Sequence, residues 1–378
     1  MEDHGIVIVG GGICGLATAL ALHRKGIASL VLEKSETLRA DGVAIEVHAN
    51  GWRVLEQLGA ADELRGTANL ITAYRNLWLQ VNKRSLTPIR QELRYLKRKD
   101  LINVLAKNIP ATAFRFGCHI ASIHPDPRSH TTVLKTVNGA TMKTKVMSPR
   151  ASLIESRLHF TLPFLFLTTY PVLIGCDGAN SVVAKYLGLS VPNHIPRMTL
   201  HIIEDMGILK NFVLDKLQDC PAQVIDVIQN SDPGSLHVAT KLYYRHLCQL
   251  LFGSFQKGPV TVAGDAMHVM APFIGQGGAA GLEDAIVLAR LLGRVTPCGL
   301  DVDGAGSSGE PYAKMVSTAI REYIQARRPR VALLSLEAFV VGALMRAKTG
   351  VAKVCCIIVL AILGHKSSRH ANYDCGRL

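Results

Sequence analysis

Residues 5–33 read GIVIVGGGICGLATALALHRKGIASLVLE, and the order of residue types in this stretch decides the fold. The β-branched run at 5–9 has the character of a strand buried on both faces. Glycines at 10, 11, 12 and 15 follow, then a segment of helical character that closes at Gly26. A second apolar run, 29–33, ends in Glu33. This is the order of a parallel βαβ unit built to hold a dinucleotide. Gly10 makes the tight turn, Gly12 lets the backbone approach a pyrophosphate, and Gly15 lets helix and strand pack closely. The helix start offers unpaired N–H groups and the positive end of its dipole to phosphates. Glu33 is placed to accept hydrogen bonds from ribose hydroxyls. FAD and NAD both present an adenosine diphosphate to such a site, so the motif alone leaves the dinucleotide open.

Two later stretches narrow the choice. Residues 172–189, VLIGCDGANSVVAKYLGL, run from an apolar strand into Asp177 and Gly178. Residues 260–290, VTVAGDAMHVMAPFIGQGGAAGLEDAIVLAR, run from a strand into Gly264 and Asp265. A loop with Pro272 follows, and Gly275, Gly277 and Gly278 open a long helix. With these three fingerprints in order, the chain resembles the flavin-dependent monooxygenases of the p-hydroxybenzoate hydroxylase type, and among them the plant branch similar to zeaxanthin epoxidase. An early Arg-containing loop (38–59), an RxxL element at Arg98 to Leu101 and an ERRPR-like helix at 325–330 fit the same pattern. The resemblance implies an α/β fold: a Rossmann-type FAD-binding domain, a β-sheet substrate domain and a C-terminal helical segment. It implies FAD as cofactor, NADPH or NADH as reductant and dioxygen as co-substrate. The flavin would carry the chemistry, reduced by the nicotinamide and transferring oxygen from a C4a-hydroperoxide to a small apolar or aromatic substrate by hydroxylation or epoxidation. Asp265 would bond the ribityl chain, Asp177 and Gly178 would lie at an entrance shared by flavin and nicotinamide, Arg98 near the flavin phosphates and Arg39 near the flavin or substrate mouth. The glycines at 275, 277 and 278 would let the backbone approach the flat ring, with the helix start facing its N1/C2=O edge. No acid–base residue is assigned. His268 stands beside the third fingerprint, but a single histidine there is as well explained by packing.

Composition agrees with an enzyme core. Of 378 residues, 48% are hydrophobic and 19% charged, enough to bury a large domain. The net charge is +13 with scattered basic residues, which suits phosphate-bearing cofactors and lacks the clustered stripe of a nucleic-acid binder. The nine cysteines form no CxxC pair and no zinc-spaced cluster, so free thiols in a reducing compartment and no metal site are expected. No signal or transit segment is read at the N-terminus, and a cytoplasmic location is expected. The apolar run 354–364 is too short to span a bilayer. It reads either as a packed terminal helix or as a peripheral membrane contact.

The domains read as FAD-binding at 1–189 and 258–300, substrate-binding at 190–257, and helical at 312–378, with a kink at Pro329. Two regions depart from the family pattern. Residues 147–171 carry three prolines and a Phe/Leu-rich run between KTKV and VLIGCDG, as though a translated intron split one strand. A surface insertion is the rival reading. Residues 190–257 are short for a substrate domain and show a helical segment, 212–229, with Pro221 inside it. A truncated sheet would leave the substrate pocket open. Three functions stay in view: the monooxygenase, a flavin-binding relative without turnover, and an NAD-dependent dehydrogenase, which the second and third fingerprints argue against.

Overall fold

The computed structural model describes residues 5–38, 44–78, 83–89, 91–125, 132–144, 172–194, 206–218, 220, 222–231, 242–295, 310–364 and 371–378. Its centre is a six-stranded sheet ordered Gln256–Lys257, Val260–Val262, Val172–Gly175, Ile6–Val9, Ser29–Leu32, Phe114–Arg115. Neighbours run parallel except the edge strand Gln256–Lys257, which is antiparallel to Val260–Val262. Every residue of Ile6–Val9, Ser29–Leu32, Val172–Gly175 and Val260–Val262 is buried, as their β-branched composition requires. The first helix, Ile13–Arg24, lies against the central helix, Gly277–Gly293, and both bury most of their length.

Thus the three fingerprints leave the carboxyl ends of three adjacent strands. In an open parallel sheet that is where ligands bind. The chain is α/β with a helical C-terminal segment, and the long helix Glu310–Arg346 runs on through Pro329.

The structure revises several expectations. Thr141–Thr144 belongs to a separate antiparallel sheet with Thr132–Thr136 and Ile120–Pro125, while Val172–Gly175 sits in the parallel sheet. They are therefore not halves of one strand, because each already has its own hydrogen-bonding neighbours. Residues 147–171, on which the intron reading rests, lie outside the described residues. The single helix expected over 212–229 is two, Met206–Lys216 and Ala222–Gln229, with Pro221 falling between them in sequence. Residues 371–378 are irregular, as expected, but firmly docked. The Asn50 N–H donates to Ala371 O (2.9 Å), Gln57 Nε2 to Gly376 O (3.1 Å), and Arg290 to Cys375 O (2.7 Å).

Candidate functional site

The glycines of the first fingerprint divide by what surrounds them. Gly10 has φ +105°, and a Cβ there would meet Cys176 O at 2.5 Å. At Gly15 it would meet Gly10 O at 2.0 Å, so helix–strand contact requires glycine. Gly12 is different: no protein atom lies within 4 Å of its would-be Cβ, and its backbone suits any residue. Gly178 and Gly278 share that open space, and Gly277 meets only Met270 Cγ, at 4.0 Å. Packing explains Gly10 and Gly15, while the space at Gly12, Gly178 and Gly278 is free for a ligand. The helices Ile13–Arg24 and Gly277–Gly293 both start without a side-chain cap, leaving N–H groups free at their positive ends.

Polar groups around this space are partly bound and partly waiting. Glu33 is buried, its Oε2 accepting from the Gly11 N–H (2.8 Å) and its Oε1 from the Ser35 N–H (3.0 Å). Those donors fix the carboxylate in place. Arg98 begins the helix Arg98–Lys107, and its Nε is buried without a partner. Gln276 Nε2, in the glycine-rich turn, is likewise buried and unpartnered. Asp265 is exposed to solvent at the end of its strand, yet protein surrounds it closely enough that burial pushes its carboxyl up. His268 and Arg98 pull it partly back, while Asp284 pushes it further up. A residue both reachable and enclosed lines a cleft. FAD therefore fits the donor set: open glycines and helix starts for the pyrophosphate and ring, and orphaned donors on Arg98 and Gln276.

Asp177 is already engaged. Its Oδ1 accepts from Ser181 Oγ (2.5 Å) and its Oδ2 from the Val182 N–H (2.7 Å), so the carboxylate caps the helix Val182–Tyr186. Burial raises its pKa despite these bonds. Its neighbour Gly178 (φ +82°) carries the turn toward the open space. Gly264 packs on Cys14, where a Cβ would come within 2.8 Å, and Gly275 (φ +62°) ends the short turn Pro272–Ile274. Arg39 lies outside the described residues.

Beneath the cleft is a buried charge cluster that the sequence reading did not assign. Asp284 Oδ2 accepts from the Gly264 N–H (2.8 Å) and contacts His268 Nε2 (2.6 Å), while its Oδ1 accepts from Arg327 Nε (2.6 Å). Arg327 NH1 lies 2.7 Å from Glu283 Oε2, a charge contact without hydrogen-bond alignment. Arg330 and Asn50 both donate to Glu283 Oε1, at 3.0 and 2.7 Å. Asn50 also donates to Gln276 Oε1 (2.9 Å), tying the glycine-rich turn to the cluster. Burial pushes Asp284 up, but His268 and Arg327 more than offset it and hold its carboxyl at about 2. His268 is wholly buried here, so its role is to partner Asp284. The signal available in the sequence was charge in an apolar setting: Glu283 and Asp284 interrupt an otherwise apolar helix, with matching arginines at 327 and 330.

Residues 3–145 and 240–297 match the FAD binding domain family. Monooxygenase 1 of Arabidopsis thaliana is 36% identical over 429 aligned positions that span all of both proteins. The chain belongs to the FAD-dependent monooxygenases of the p-hydroxybenzoate hydroxylase type. As an oxidoreductase of that family, the monooxygenase takes FAD as its cofactor. A 3-amino-4-hydroxybenzoate 2-monooxygenase of Streptomyces platensis is 26% identical over 361 positions, covering 86% of this chain and 84% of its own. Among solved structures, Klebsiella pneumoniae HpxO complexed with FAD and uric acid has the same fold, with a TM-score of 0.69 over 98% of this chain and 95% of that one, at 18% identity.

Beside the glycine-rich turn of the monooxygenase lies a cavity of about 230 Å³. Residues 244–247, 270–273 and the end of the long helix form its walls. Leu247, Met270, Phe273, Leu336 and Phe339 make it apolar, and no acidic side chain is among the described residues lining it. Arg245 and Ser335 supply polar groups at the wall, each with a buried atom, Nε and Oγ, that lacks a partner. Arg245 otherwise donates to carbonyls of Ser190 and Ala266, both at 3.0 Å, and burial without a carboxylate lowers its pKa to about 10.

Proposed function

We propose that the protein is an NAD(P)H-consuming monooxygenase acting on a small, single-ring aromatic substrate that carries an acidic group. The observation that carries this reading is the Arg245 cavity. A space of about 230 Å³ suits one substituted ring, since cavities of ~150 Å³ already hold benzene. An uncompensated arginine in an apolar surround favours an anion. The segment walling it, residues 270–273, leads directly into the turn Gly275 to Gly278, which puts substrate and flavin sites on one stretch of chain. A relative named for an aminohydroxybenzoate, a single ring bearing a carboxylate, supports the same substrate class.

In this reading bound FAD supplies the redox chemistry, taking electrons from the nicotinamide and activating dioxygen. The residues of the chain bind and orient. Gly12 and the two helix starts receive the phosphates, and Arg98 and Gln276 supply their free donors. Glu33 holds the ribose, Asp265 the ribityl chain, and Asp177 and Gly178 stand at the mouth. Met270, Phe273 and Leu336 exclude water from the ring of the substrate. Hydroxylation and epoxidation need the same arrangement.

A flavin-binding protein without turnover is the second reading. Its support is the alignment with Monooxygenase 1, whose 429 positions exceed the 378 residues of this chain by 51, so that relative has residues here unmatched. A spectrum separates the two. Purified protein that is yellow, bleaches with NADPH or NADH, and consumes oxygen faster with a hydroxybenzoate supports the monooxygenase. Yellow protein that no nicotinamide reduces, with or without aromatic acids, supports the second reading and defeats the first.

A further inference from the structure

The helix Gly350–Gly364 is exposed where an apolar sequence would be expected to pack. Val351 is 76% exposed, Ile357 54%, Ile358 53% and Ile362 72%. It is not a fraying end: the long helix that precedes it is anchored in the charge cluster, and residues 371–378 that follow it are docked on the FAD domain. The helix is thus displayed between two fixed segments, its first turn begun by Thr349, whose Oγ1 accepts from the Ala352 N–H at 3.3 Å.

Charge says what covers it. From Ala338 to Tyr373 there is no Asp or Glu, while Arg346, Lys348, Lys353, Lys366 and Arg369 bracket the apolar run. A second copy of the chain would bring like charges together, in a protein already at +13. With 15 residues the helix is about 22 Å long, short of the ~30 Å hydrocarbon core, and no described helix is long and apolar enough to cross a membrane.

We propose that Gly350–Gly364 lies in the surface of an anionic bilayer, its isoleucines and valines in the acyl boundary and the flanking basic residues on the headgroups. The protein would then work as a peripheral membrane enzyme. The test is flotation of the full chain with phosphatidylcholine vesicles, with and without phosphatidylserine. Expected is co-flotation with the phosphatidylserine vesicles that salt weakens. A double variant I357E and I362E, both at exposed positions and so leaving the fold intact by circular dichroism, should lose about ten-fold or more in partitioning. Wild-type protein that stays with the soluble fraction at low salt overturns the proposal. So does undiminished flotation of the double variant, or an apolar helix that the same variant shows to serve only a concentration-dependent dimer.

Discussion

At Gly12 and Gly15, three residues apart, the same residue type answers to different constraints. Gly15→Ala drives a methyl to 2.0 Å from Gly10 O, and overpacking of that kind costs about 1–3 kcal/mol or more. Gly12→Ala meets no protein atom, so its unfolding free energy from urea curves should stay within about 0.5 kcal/mol of wild type. Its yellow colour should nevertheless fade, because the methyl occupies the ligand's space. Absorbance near the flavin maximum per mole of protein, measured beside unfolding curves, separates the two. Should G12A retain full flavin, the open space serves something else. Arg98→Ala is expected to weaken FAD binding by about 10- to 100-fold, the worth of one charge-assisted hydrogen bond, with little loss of stability because the Nε bonds nothing in the protein. Titration of apoprotein with FAD measures it. Spacing in the sequence made the two glycines legible, while Arg98 was implied by the family resemblance. The sequence could not tell Asp177 as a cap from Asp177 as a ligand, since both uses ask for a carboxylate at a strand end, and the Ser181 that decides it reads as an ordinary turn residue.

Between elements, the Asp284–Arg327 pair holds the central helix to the long helix. Removing one partner of a buried pair leaves an uncompensated charge, so Arg327→Met should destabilise by about 3–5 kcal/mol. Equal stability in chemical unfolding would remove the clamp from the account. The pair also sets an acid limit. Asp284 is held at about 2, below its ordinary 3.8, so its contribution is complete above pH ~4 and is lost as pH falls toward 2. Linkage makes this on the order of 2 kcal/mol. Asp177 and Asp265 shift the opposite way and gain stability as they protonate, so the Asp284 loss should appear as a late, steep fall in the acid limb. An Asp284→Asn variant should flatten that limb. The cluster escaped the sequence reading because its members are 50, 268, 283, 284, 327 and 330, and no local pattern links positions that far apart. What was legible was the strand–turn–helix order, which depends on neighbours in sequence. The pairing of Thr141–Thr144 was not, since only the partner strand decides which sheet a short polar strand joins.

Over the whole molecule, many of the exposed apolar side chains fall in the C-terminal half. Among the described residues Phe252, Phe339, Met345 and the helix Gly350–Gly364 are such positions, Phe339 at the wall of the Arg245 cavity. If residues 147–171 are a translated intron, a transcript lacking their codons should be recovered, and tryptic peptides from 151–170 in native protein would argue for a true insertion. The parallel sheet and its helices draw together parts of the chain far apart in sequence. They also need the other end of the chain. The strand that opens the flavin site ends at Val9, whereas the arginine that fixes Asp284, and through it the Gly264 turn, stands at 327. The glycine-rich turn is braced through Asn50, whose own N–H is held by Ala371. A chain ending at residue 309 should accordingly bind no FAD, whatever the integrity of its first fingerprint. On the ribosome the order is the same: the motif that emerges first waits for residues 310–346 to emerge before it can hold its ligand. Flavin loading in this protein should therefore follow synthesis of that helix, and a message broken before it should yield a protein without colour rather than a weaker enzyme.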